Sequence, residues 1–169
     1  MPLSKAEIDF YNNLNNFAEK LKQAYSESGT LKGNPEDQLK RPIRELIESI
    51  YSGQIKTRTE TQVEGLGARP DIGISVQNLL AGHIELKAPG LGANTNKFKG
   101  ANRKQWQKFS SLPNLIYTDG TEWILYREGE RVSPIIRFNG DVIDEGKKAV
   151  SEDDAVKFYA LLTDFLNWD

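Results

Sequence analysis

Cysteine is absent from this sequence, which excludes disulfides and zinc–thiolate sites. Histidine occurs once, at His83, so neither a multi-histidine metal centre nor a histidine pair for acid–base work can be built. No apolar run approaches the roughly 18 residues of a membrane span, and the opening MPLSKAEIDFYNN has no apolar stretch flanked by basic residues. These absences lead to the expectation of a cytoplasmic protein with no membrane partner, and the lack of cysteine fits a reducing compartment. Internal repeats, low-complexity tracts and an internal linker are also missing, and a chain of 169 residues reads as a single domain that can bury a core. The net charge of −2 argues against a free-standing nucleic-acid binder. Charge is unevenly spread, however. Acids are missing from the whole interval between Glu85 and Asp119, while Lys87, Lys97, Lys99, Arg103, Lys104 and Lys108 fall within it.

The stretch GARPDIGISVQNLLAGHIELKAP, from Gly67 to Pro89, holds the most chemistry. Ile72, Ile74 and Val76 alternate with Asp71, Gly73 and Ser75, and Ile84, Leu86 and Ala88 alternate with His83, Glu85 and Lys87. This is the period of two strands with one apolar face each. Asp71, Glu85 and Lys87 lie on the opposite face. In a hairpin, Asp71 must then pair with an odd-numbered residue such as Lys87, leaving a loop from Gln77 to Ala81 and setting Gly73 opposite Glu85. Two carboxylates and an ammonium supply hard oxygen ligands for a magnesium ion and a cation near a charged transition state, the needs of phosphodiester hydrolysis. The blander alternative is a surface hairpin whose Glu85 and Lys87 face solvent.

The remaining elements frame this hairpin. Ser4-Lys5-Ala6-Glu7 is a capping box that opens a helix over about Lys5 to Tyr25. Ser28-Gly29-Thr30 and Lys32-Gly33 break the chain, and Asn34-Pro35-Glu36-Asp37 starts a second helix, which Pro42 should kink or split. Glu36 falls close to the apolar stripe of that helix. Compensation of the helix dipole accounts for Glu36 and Asp37 equally well. Ile55 to Val63 reads as a strand, and Glu64-Gly65-Leu66-Gly67 as the turn that delivers Arg69 and Pro70. Arg103 to Ser110 should be helical with Trp106 and Phe109 facing the sheet, followed by strands at Asn114 to Thr118, Trp123 to Arg127 and Arg131 to Phe138. The crossover from the Glu85 strand through this helix places the Leu115 strand parallel to a strand of the central sheet. Ser151 caps a final helix.

Pro70-Asp71 followed fourteen positions later by Glu85-Leu86-Lys87 resembles the PD-(D/E)xK signature of restriction endonuclease-like nucleases. The resemblance covers about Asn34 to Arg127, in the order helix, strand, P-D strand, E-x-K strand, glutamine helix, strand. Gln105-Trp106-Gln107-Lys108-Phe109 is similar to the Q-x-x-x-Y helix of RecB-like and type I restriction nucleases, with phenylalanine in place of tyrosine. The resemblance implies an α/β fold with a central mixed β-sheet flanked by helices on both sides. It further implies Mg²⁺, with Mn²⁺ as a substitute, held by Asp71, Glu85 and the Leu86 carbonyl. Lys87 would orient the attacking water, its pKa raised by the adjacent carboxylates, with Gln105 near the scissile phosphate and Glu36, or else Asp37, as a further acid. Arg69 and the tract Lys97, Lys99, Arg103, Lys104 and Lys108 become contacts to double-stranded DNA, against the plainer reading of a solvated helix face. The chain also resembles the N-terminal nuclease domain of single-chain restriction–modification enzymes. That implies a nuclease domain over 1–169, core 34–127, at the start of a longer polypeptide with fused methyltransferase and target-recognition domains, and a dimer as one route to double-strand cleavage. A repair or branched-DNA nuclease of the same fold and a non-catalytic interaction module are the alternatives.

Overall fold

A computed structural model describes residues 2–27, 34–60, 62–63 and 65–168. The expected chain break at 28–33 and Glu64 of the expected turn lie outside the described residues. The order of elements is α1 (Lys5–Glu27), a 3₁₀ turn (Pro35–Leu39), α2 (Lys40–Glu48), β1 (Ile55–Thr59), β2 (Ile72–Val76), β3 (Leu79–Leu86), a 3₁₀ turn (Thr95–Lys97), α3 (Gly100–Phe109), β4 (Leu115–Thr118), β5 (Glu122–Arg127), β6 (Glu130–Arg131), β7 (Ile136–Arg137), α4 (Val142–Glu145), a 3₁₀ turn (Gly146–Ala149) and α5 (Glu152–Leu166). The strands form one seven-stranded sheet in the order β1-β2-β3-β4-β5-β6, with β7 also on β5. All pairs are antiparallel except β3 with β4, the parallel pair that the helical crossover through α3 requires. This mixed α/β architecture is consistent with the restriction endonuclease-like fold. Among the described residues no helix is long and apolar enough to cross a membrane.

Each face of the sheet has its own core. Ile72, Ile74, Ile84, Leu86, Ile116 and Trp123 pack with apolar residues of α1, α2 and α5, whereas Leu115, Tyr117, Ile124 and Tyr126 pack with Trp106 and Phe109 of α3. Alternation along the strands divides the side chains between these two cores. Both helices N-terminal to the sheet follow from local signals. The Ser4 and Glu7 side chains bond reciprocally to each other's backbone N–H groups at the start of α1. The second helix is split, as Pro42 suggested, into a 3₁₀ turn and α2. Pro42 is the third residue of α2, within the first turn, where a missing N–H costs no intrahelical hydrogen bond. Ser151 and Asp154 form a full capping box on α5.

Three expectations need correction. The first strand ends at Thr59, where Glu60 takes a left-handed φ of 52°, and does not run to Val63. Arg131 to Phe138 is not one strand but the ends of two short ones, β6 and β7, separated by Ser133-Pro134, a proline having no N–H for a ladder. The third concerns the hairpin. Val76 pairs with Leu79 across a two-residue turn, Gln77-Asn78, both left-handed, and not across a loop reaching Ala81. Between Ile74 and Ser75 the register shifts, since Ser75 pairs with Leu80 but Ile74 with Gly82, leaving Ala81 as a bulge. Beyond it Gly73 pairs with His83 and Ile72 with Ile84. Asp71 therefore meets Glu85 and not Lys87, and Gly73 does not stand opposite Glu85.

Gly82 lets β3 pass under α5. A Cβ there would lie 2.5 Å from the Asn114 carbonyl oxygen and 2.7 Å from Cε1 of Phe165. Gly82→Ala should lower stability by about 1–3 kcal/mol, read as a lower denaturant midpoint. An unchanged midpoint would mean that β4 and α5 yield without cost.

Candidate active site

At its Glu85–Lys87 end the polar face of the hairpin is not a wet surface. α3 covers it, leaving Glu85 and Lys87 only 4% and 6% exposed. The solvent-facing alternative for the E-x-K pair is thereby overturned. Asp71, one residue before β2, is half-buried, and its backbone is tied on both sides: Glu60 N–H donates to its carbonyl at 2.7 Å, and its own N–H donates to Glu85 Oε1 at 3.1 Å. Asp71 Oδ2 accepts the N–H of Leu86 at 2.8 Å. The two carboxyl groups are thus bound crosswise to each other's strand.

From α3, Gln105 bridges the remaining groups. Its Nε2 donates to Glu85 Oε2 at 2.9 Å and its Oε1 accepts from Lys87 Nζ at 2.6 Å. Lys87 also donates to Asn102 Oδ1 at 3.0 Å, lies 3.9 Å from Glu85 Oε2, and has the rings of Phe98 and Tyr117 at 5.8 Å. Neither Asn102 nor Tyr117 was singled out from the sequence. Asn102 precedes Gln105 by one helical turn, a spacing that puts both on one face, and Tyr117 pairs with Glu85 across β3 and β4. The Tyr117 hydroxyl donates to Gln105 Oε1 at 3.4 Å, so a phenol reaches this glutamine from the sheet although residue 109 is phenylalanine.

Electrostatics follow from burial. Desolvation, and next the Asp71 charge, push the Glu85 carboxyl up to about 8. Desolvation also raises Asp71, against the lowering by its hydrogen bonds with Leu86 and Glu85. Both shifts run in the direction that favours a proton on the pair. Lys87 departs from expectation: burial lowers its pKa and outweighs the raising effect of Glu85, Asp71 and Glu36. His83, on the same face two residues before Glu85, is buried with Nε2 unpartnered, and desolvation lowers its pKa.

The other sequence candidates sit around this cluster. Glu36 is half-buried on the 3₁₀ turn that packs against β3, near enough to act on Lys87 by charge, whereas Asp37 is exposed and paired with Lys40 at 3.3 Å. Among the described residues no three acids or histidines gather as a metal-holding group, so Glu36 does not join Asp71 and Glu85 in one. Arg69, Lys97, Lys99, Arg103, Lys104 and Lys108 are all exposed, and Arg103 donates to the Thr95 carbonyl at 3.4 Å. Lys40, not foreseen, contributes positive charge to Asp71.

The donor set fits a hard divalent cation. Two adjacent carboxylates repel until something positive lies between them, and a cation with oxygen preference can fill that role. Mg²⁺ bound by one or two carboxylates keeps several waters and takes substrate phosphate oxygens, so a third protein acid is not required.

No family model matches the sequence, and no curated protein matches it. The fold does have counterparts among solved structures. A cryo-EM structure of a DrdV–DNA complex superimposes with a TM-score of 0.64 over 94% of this chain at 17% identity. The chain corresponds to 14% of the length of that protein, and at this identity the likeness is one of fold.

Proposed function

We propose that the chain is a Mg²⁺-dependent DNA endonuclease domain of the restriction type, its sequence specificity supplied by other domains. The observation that carries this reading is the single bonded cluster of Asp71, Glu85, Lys87 and Gln105 where β2, β3 and α3 meet. Likeness of fold to a protein in complex with DNA supports it. Asp71, Glu85 and the Leu86 carbonyl would hold Mg²⁺, or Mn²⁺ in its place. Bound there, the ion supplies charge stabilisation for the phosphoryl oxygens and acidifies water. Lys87 holds its ammonium toward the attacking water and the developing charge on phosphorus, oriented by Asn102 and Gln105. Gln105 keeps Glu85 and Lys87 in fixed relation, and Glu36 adds negative charge near Lys87. Arg69 and the cations from Lys97 to Lys108 supply phosphate contacts.

Nicking of supercoiled plasmid in Mg²⁺ or Mn²⁺ tests the proposal. Ca²⁺ should bind without supporting turnover, and EDTA should stop the reaction; cleavage that survives EDTA excludes this chemistry. Gln105→Ala should slow nicking about 10–100-fold, the usual cost of losing a group that orients ligands. Glu36→Ala should cost less than that, because it acts on Lys87 through charge alone. A larger loss from Glu36→Ala than from Gln105→Ala would reverse these two roles.

A further inference from the structure

Resting on the nuclease reading, we propose that the face of β1 and β2 from which Lys56 and Arg58 project is a second DNA-backbone contact surface, in which these two side chains hold phosphates flanking the cut. Along β1, Ile55 and Thr57 turn toward α2, with Thr57 bonded to Arg44 and Glu48, so Lys56 and Arg58 project from the opposite face and are exposed. That face forms a groove of about 240 Å³ lined by Lys56, Arg58, Gly73, Ser75, Asn78 and Leu80. Among the described residues its lining contains two cations and no acid, and Lys56 bonds a neutral partner there, Asn78 Oδ1 at 3.2 Å, so the charge of Lys56 remains for a polyanion.

Register connects this groove to the carboxyl pair. Arg58 pairs with Gly73 and Gly73 with His83, forming a row across the sheet. The next row on the same face, two residues along each strand and so about 7 Å away, is that of Asp71 and Glu85. Gly73 supplies a floor without a side chain between the Arg58 wall and the site. On the far side stands α3 with Arg103 and Lys104 exposed. A DNA strand with its scissile phosphate at the carboxyl pair would therefore continue over Gly73 between two positive walls, a complementarity of charge that an apolar partner would not satisfy.

A fluorescent DNA duplex of arbitrary sequence, titrated at several salt concentrations in EDTA, tests the assignment without any turnover. Removing two phosphate contacts should make the slope of log affinity against log salt shallower by about 1.8, a loss of roughly 60-fold at about 0.1 M salt. The Lys56→Gln/Arg58→Gln variant should show this change, and Lys56→Gln alone about half of the slope change. Lys147→Gln/Lys148→Gln removes the same charge from two exposed lysines packed near α1, and should leave the slope as it is. Melting curves verify that each variant folds. An unchanged slope in the first variant, an equal change in the control pair, or preference for an RNA duplex over the DNA duplex would overturn the surface. Expected slopes in a protein that never nicks plasmid would refute the nuclease reading and leave the surface standing.

Discussion

Asp71→Asn, Glu85→Gln and Lys87→Met should each lower Mg²⁺-dependent nicking by about 10²–10³-fold, the usual cost of removing one preorganised charged group from a transition state. These substitutions preserve shape. Asn retains an oxygen for the Leu86 N–H, Gln stands in for the protonated Glu85, and Met keeps the lysine stem beside Phe98 and Tyr117. Truncation to alanine is the poorer choice, since Glu85 and Lys87 are buried and an alanine at either would orphan Gln105. Single-turnover nicking alongside thermal melting separates chemistry from folding. Near wild-type nicking by any of the three, in a folded protein, would sink the assignment.

Metal-free protein should lose stability as pH rises from 5 to 8, and Glu85→Gln should abolish most of that loss. In the unfolded chain Glu85 titrates in the ordinary carboxyl range, whereas in the folded protein it is held up to about 8. Between those values the folded state binds more protons than the unfolded state, so unfolding free energy falls with rising pH. The difference between wild type and variant should reach the order of 3 kcal/mol at pH 8, roughly 6–12 °C in Tm for a chain of this size, and should vanish near pH 5. Lys87 works with the opposite sign at higher pH. Its folded pKa lies below the ordinary lysine value, so between those two values stability rises with pH. Subtracting the variant's curve from that of wild type removes this contribution where the pair is uncoupled. Added Mg²⁺ should restore wild type at pH 8 and leave Glu85→Gln unaffected. Parallel curves for the two proteins from pH 5 to 8 would show that Glu85 titrates normally.

Period-two alternation made the shared face of Asp71, Glu85 and Lys87 legible, because each strand keeps its own parity whatever its pairing. The loop was misjudged for a definite reason. A two-residue turn pairs Val76 with Leu79, even with odd, and only the bulged Ala81 returns later pairs to equal parity. With no bulge assumed, an odd-numbered loop was the one solution left. Burial of the lysine escaped for another reason: that α3 lies over Glu85 and Lys87 depends on Trp106 and Phe109 packing on Tyr117 and Tyr126, a contact between segments whose separate patterns do not encode their distance. Lys87 was consequently expected to gain from its acidic neighbours more than it loses to desolvation. Gln105 was legible from its place in a motif, whereas Asn102 shares its helix face without belonging to any pattern.

The bulge at Ala81 also sets a phase. Were Ala81 to pair with Ile74 in place of bulging, the ladder would run on to set Ile84 beside Asp71 and would turn His83, Glu85 and Lys87 into the apolar layer beneath α1 and α5, exchanging the two faces of half a strand. Deleting Ala81 would not do so, since Leu80 and Gly82 would then be consecutive and Gly82 would still meet Ile74. What holds the bulge open is therefore the burial of Ile84 and Leu86 on the core side and not the side chain at position 81. The extra residue is dispensable to the register, and the core that selects the register is not.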